Sequence, residues 1–175
     1  MGHPLARSNA MSLRHTRRDV LIATSTLATG IALTTPVAGS GPRRNFTATL
    51  STDAQPEPDT NARGQTTFQL TGDGLSFRLI VANIEDVTMA HIHLDHILGP
   101  IAVWLHDFEA GEPAPLEGRV NGVLATGTIT DNDVNGSIDT VSELVAEIDS
   151  ENAFVNVHTN AFPAGEIGGR IESRP

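Results

Sequence analysis

The chain has 175 residues, no cysteine and no lysine, and its 21 acidic residues outnumber its 11 arginines to give a net charge of −10. Without cysteine there can be no disulfide, no thiolate metal site and no acylated lipoprotein anchor. The acidic balance argues against nucleic acid or an anionic membrane as a partner.

The first element is a leader. Ser12-Leu13-Arg14-His15-Thr16-Arg17-Arg18 is basic, Val20 to about Val37 is uncharged, and Ala38-Gly39-Ser40-Gly41 supplies small residues for cleavage. The pair Arg17-Arg18 followed by Asp19-Val20-Leu21 resembles the twin-arginine pattern. Residues 1–40 are therefore expected to be a twin-arginine signal peptide, and residues 41–175 one exported domain at the cell surface or outside the cell. Thr24-Ser25-Thr26 dilutes the apolar stretch below the roughly 20 strongly apolar residues that a membrane anchor needs, so no membrane span is expected in the mature protein. That domain retains seven arginines against twenty acids, a net of −13. An acid-rich surface without lysine suits concentrated salt, where screening removes self-repulsion, and predicts a salt-loving source.

Strand signals dominate the chain beyond the leader. Phe46, Ala48 and Leu50 alternate with Asn45, Thr47 and Thr49, and Thr66, Phe68 and Leu70 alternate with Gln65, Thr67 and Gln69. A proline-rich polar loop, Gln55 to Asn61, separates them. Gly72-Asp73-Gly74 predicts a tight turn into Leu75–Val81, making a hairpin. Further strands are expected over Met89–Leu94, Ile101–His106, Val123–Thr130, Phe154–His158 and Glu166–Glu172. Strands at this spacing define a mainly β protein, an antiparallel sandwich or barrel. The one expected helix starts at the capping box Thr140-Val141-Ser142-Glu143 and buries Val141, Leu144, Val145 and Ile148 along one face.

Five histidines lie beyond the leader. The strand pleat puts His91 and His93 on one face and Ala90, Ile92 and Leu94 on the other. With Cβ atoms about 7 Å apart, two imidazoles at i and i+2 can converge on one metal ion. The candidate third ligand is His158, at the end of its strand. His96 and His106 are weaker candidates.

Four segments in order carry a family resemblance: Ala90-His91-Ile92-His93, Gly99-Pro100-Ile101-Ala102-Val103-Trp104-Leu105, Phe154-Val155-Asn156-Val157-His158-Thr159 and Pro163-Ala164-Gly165-Glu166-Ile167. Together they look like the CHRD domain, named from chordin and found in many exported bacterial and archaeal proteins. The resemblance runs from Phe46 to Ile171. It implies an antiparallel Greek-key β-sandwich, immunoglobulin-like or superoxide-dismutase-like, with one short helix here, and it implies no settled activity. One departure is Gly168, where the family usually has arginine; Arg170 lies two residues on, on the same strand face.

Three imidazoles without a thiolate suit copper or zinc, and Glu166 is a candidate fourth ligand or an acceptor for an imidazole N–H. Cu,Zn superoxide dismutase shares the pattern of a histidine pair on one strand with distant partners, which opens a redox reading. That reading would require His96 or His106 as a bridge to a second metal. A further alternative is a metal-free polar cluster, in which the histidines bond carbonyls and carboxylates within a cell-surface binding or scaffold module. No protein partner can be named. The hydrolytic classes find no residues: there is no glycine-flanked serine elbow, cysteine nucleophile or phosphate-binding glycine loop, and no catalytic residue is assigned. Asp131-Asn132-Asp133-Val134-Asn135-Gly136 begins like a calcium loop but has Ser142 where the twelfth-position glutamate belongs.

Overall fold

Alternation along β1 (Arg44–Leu50) turns Phe46, Ala48 and Leu50 inward, and all three are buried. Against it lies β2 (Arg63–Thr71), with Phe46 opposite Phe68 and Ala48 opposite Thr66. The computed structural model describes residues 43–56, 59–107 and 115–174, so the expected signal peptide lies outside the described residues.

The hairpin from β2 into β3 (Gly74–Leu94) turns through Gly72-Asp73, as expected. The stretches Leu75–Val81 and Met89–Leu94, read from the sequence as two strands, are the two halves of β3. Asn83 and Asp86 take positive φ of 57° and 52° between them, and the pairing with β5 (Leu116–Ile129) shifts register there. Such bulges let one strand bend without ending. The first half of β3 therefore pairs with β2 and β5, and the second half pairs with β4 (Ile101–Asp107) and β6 (Ala153–Thr159). Leu75, Leu79 and Val81 from one half meet Ala90, Ile92 and Leu94 from the other in a single apolar core.

Beyond β6 comes β7 (Ile167–Arg170), and β8 (Glu172–Arg174) returns to β1. The expected strand Glu166–Glu172 is thus divided, because Ile171 drops into the core between its two pieces. A bridge from Ser51 to Gly168 brings the end of β1 to β7, so the sheet nearly closes on itself as an antiparallel sandwich. No helix among the described residues is long and apolar enough to cross a membrane.

Helix α1 (Val141–Asp149) begins where its capping box requires. The Thr140 hydroxyl accepts from the Glu143 amide at 3.2 Å, and the Glu143 carboxylate accepts from the Thr140 amide at 3.0 Å. Val141, Leu144, Val145 and Ile148 are all buried. The acids before it cap backbone: Asp133 accepts from Thr130, and Asp131 accepts from the Val141 amide at 2.8 Å. Both carboxylates of the calcium-like segment thus already serve the chain itself.

Candidate metal centre

The period of two along β3 and β6 builds one polar face. His91 and His93 share it on β3, and His91 sits directly across from Asn156, two residue pairs from His158 on β6. The three histidines are 2%, 6% and 6% exposed. One ring nitrogen from each lies within 4.8 Å of those of the others. That spacing permits a single metal ion between them. Among the described residues no other histidine, aspartate or glutamate joins the group: His96 is exposed on the loop after β3, and His106 is buried on β4 opposite Ala90.

Two short segments cover this face and orient the rings. In the loop after β3, the Gly99 amide bonds the His96 carbonyl at 2.8 Å, and the Gly99 carbonyl stands 2.6 Å from His93 Nδ1. Only glycine fits there, since a Cβ at position 99 would lie 1.8 Å from the Leu94 carbonyl oxygen. In the turn after β6, the Pro163 carbonyl stands 2.8 Å from His158 Nδ1. A carbonyl can only accept, so in both rings Nδ1 carries the proton and Nε2 keeps its lone pair. Those two Nε2 atoms, and both nitrogens of His91, are buried without a hydrogen-bond partner among the described residues.

Burial lowers the pKa of all three histidines. For His91 burial comes first, then the neighbouring His158 and His93, and together they push it down to about 3. His93 is lowered by burial and by His96, against the Gly99 carbonyl, which raises it. His158 is lowered by burial and by His93, against the Pro163 carbonyl. At neutral pH the site holds three neutral imidazoles, the form that ligates metals.

Glu166 stands elsewhere than the sequence suggested. It is buried, but its two oxygens accept from the hydroxyls of Thr60 and Thr159, each at 2.9 Å, and from no imidazole. The Thr159 hydroxyl in turn accepts from the Phe162 amide at 3.2 Å. Glu166 therefore secures the turn that presents the Pro163 carbonyl, and His93 and His158 find their acceptors on backbone oxygens instead. A Cβ at position 168 would meet the side-chain ends of Ile97 and Gln55 at 2.6 and 2.7 Å, so a larger residue there would require both side chains to shift. Arg170 does not replace it, being paired with Glu151 at 2.8 Å on the surface.

Asn156 was missed from the sequence. Its Nδ2 donates to the carbonyls of Ile97 and Ala164, both at 3.2 Å, and its Oδ1 accepts from Gln55 at 2.6 Å. It thereby ties together the two segments whose carbonyls hold His93 and His158. The available signal was a polar residue between Val155 and Val157 in a strand buried along its length. Trp104 was also missed: its indole lies edge-on to the His91 ring, with centroids 4.1 Å apart.

A small antiparallel β-sandwich with a buried histidine trio under two loops is the class of protein that this geometry defines. The family model for the CHRD domain matches residues 46–171, and the chain belongs to that family. No curated protein and no solved structure matches it. The four segments that carried the resemblance supply the trio, the Gly99 and Pro163 carbonyls, Asn156 and Trp104.

Proposed function

We propose that this CHRD domain is an exported module that binds one copper or zinc ion through His91, His93 and His158. The observation that carries the reading is the pair of fixed tautomers. His93 and His158 donate their Nδ1 protons to carbonyls and leave Nε2 lone pairs buried beside His91 without a partner among the described residues. Leaving buried polar atoms unsatisfied costs on the order of 1–3 kcal/mol each, an arrangement that a purely structural cluster gains nothing from. A bound cation would satisfy them, and the carbonyl acceptors behind the rings are the usual outer support of metal-bound imidazole. Three nitrogen ligands without sulfur favour Zn(II) or Cu(II). The dismutase reading is weaker, because neither His96 nor His106 joins the trio to bridge a second ion.

Export rests on the basic, apolar and small-residue order of residues 12–41. Loading is tested by dialysing the purified chain against Cu(II) or Zn(II) and quantifying bound metal by mass spectrometry. One equivalent is expected, lost in a His91→Ala His93→Ala variant. Uptake below about a tenth of an equivalent, unchanged in that variant, overturns the reading.

A further inference from the structure

Each imidazole of the trio has a different backing. His93 rests on the Gly99 carbonyl and His158 on the Pro163 carbonyl, both parts of hydrogen-bonded turns. Among the described residues His91 has no such anchor. Its backing is Trp104, its cross-strand partner on β4, whose ring stands at 82° to the imidazole. Trp104 is 37% exposed while His91 beneath it is 2% exposed. A large apolar side chain left partly in water, with a buried polar ring behind it, separates that ring from solvent. The carbonyl backings are main chain held within their turns, whereas an indole at a strand surface can move by rotating its side-chain torsions.

We propose that the Trp104 indole is the gate of the histidine trio: it shuts His91 off from solvent, and its movement sets how fast a bound ion leaves. The kinetic part rests on the metal reading above, and the shielding part stands without it. The chain contains one tryptophan and no tyrosine, so its indole emission reports on this position alone.

Two measurements test the gate on the full chain, in wild type, Trp104→Ala and Trp104→Phe. A Trp104→Thr variant is included because a β-branched residue suits a strand if alanine unsettles the fold. In the metal-free protein, histidines are labelled with diethyl pyrocarbonate and located by mass spectrometry, with exposed His96 as internal standard. His91 should label at least about tenfold more slowly than His96 in wild type and Trp104→Phe, and approach the His96 rate in the alanine and threonine variants. In the zinc-loaded protein, excess chromogenic chelator should remove zinc about tenfold faster from those two variants than from wild type, with one equivalent still bound at the start. Unchanged His91 labelling, or an unchanged zinc release rate, in both small variants overturns the gate. If wild type takes up no zinc, the metal reading fails by itself, and the labelling still decides whether Trp104 shields His91.

Discussion

His158 donates its Nδ1 proton to the carbonyl of Pro163 across 2.8 Å, within a turn that closes between β6 and β7. Gly165 makes that turn possible. Its φ is +123°, and a Cβ there would lie 2.3 Å from the side-chain oxygen of Asn156. Gly165→Ala should therefore strain the backbone and push Asn156 off the Ile97 and Ala164 carbonyls together. The expected loss is about 2 kcal/mol or more of stability by urea denaturation, with zinc affinity weakened by about tenfold or more. An alanine variant with wild-type affinity would show that the turn does not orient His158.

The trio should cost the metal-free protein stability. Among the described residues neither ring nitrogen of buried His91 has a hydrogen-bond partner, so His91→Leu removes a desolvation cost while keeping bulk. The metal-free variant is expected to gain about 1 kcal/mol in urea denaturation and to lose zinc uptake, a trade common at binding sites. A marked loss of stability on this substitution would favour the structural polar cluster over the metal site.

Protons should destabilise the metal-free fold in a defined window. In the unfolded chain the three histidines titrate near their ordinary value of 6.5, whereas in the fold all three are lowered, His91 to about 3. As pH falls below 6.5 the unfolded state binds protons that the folded trio refuses, so the equilibrium shifts toward unfolding. The contribution is complete above pH 6.5 and is lost progressively toward pH 3. The urea midpoint should fall between pH 7.5 and 5.5, above the range where Glu143 and Asp149, both lowered from carboxylate values, begin to matter. His91→Leu should flatten that dependence. A midpoint level across the window would contradict the burial of neutral imidazoles.

Helix α1 offers a control away from the site. Thr140→Ala removes one half of the capping box and should cost about 1 kcal/mol of stability. Metal uptake by the folded fraction should stay at the wild-type stoichiometry. A changed stoichiometry would mean that the helix bears on the trio by a route that its hydrogen bonds do not show.

Much of the fold could be read from local pattern. Alternation marked β1 and β2, and spacing marked α1 together with its capping box, because both features depend on residues a few positions apart. The bend of β3 could not be read this way. Asn83 and Asp86 look like turn residues between two strands, and only pairing with β5 across the bend shows that the strand continues. Ile171 likewise reads as one more strand residue until β8 is seen returning to β1.

For the site, the sequence alone put His91 and His93 on one face of a strand and offered His158, at the end of its own strand, as the third ligand. The tertiary structure decided how these residues are held. Neighbouring β3 and β6 bring His158 beside the pair from 65 residues further along the chain, and the carbonyls of Gly99 and Pro163 choose which nitrogen carries the proton. Asn156, drawing on Gln55 and Ile97, locks the covering loops, while Glu166 holds the Thr60 and Thr159 hydroxyls and leaves the imidazoles alone. A strand's pleat is a local property of two or three residues, but convergence of ring nitrogens and the choice of their acceptors depend on register and loop closure between distant segments. Those are settled only when the sheet folds over and buries its core.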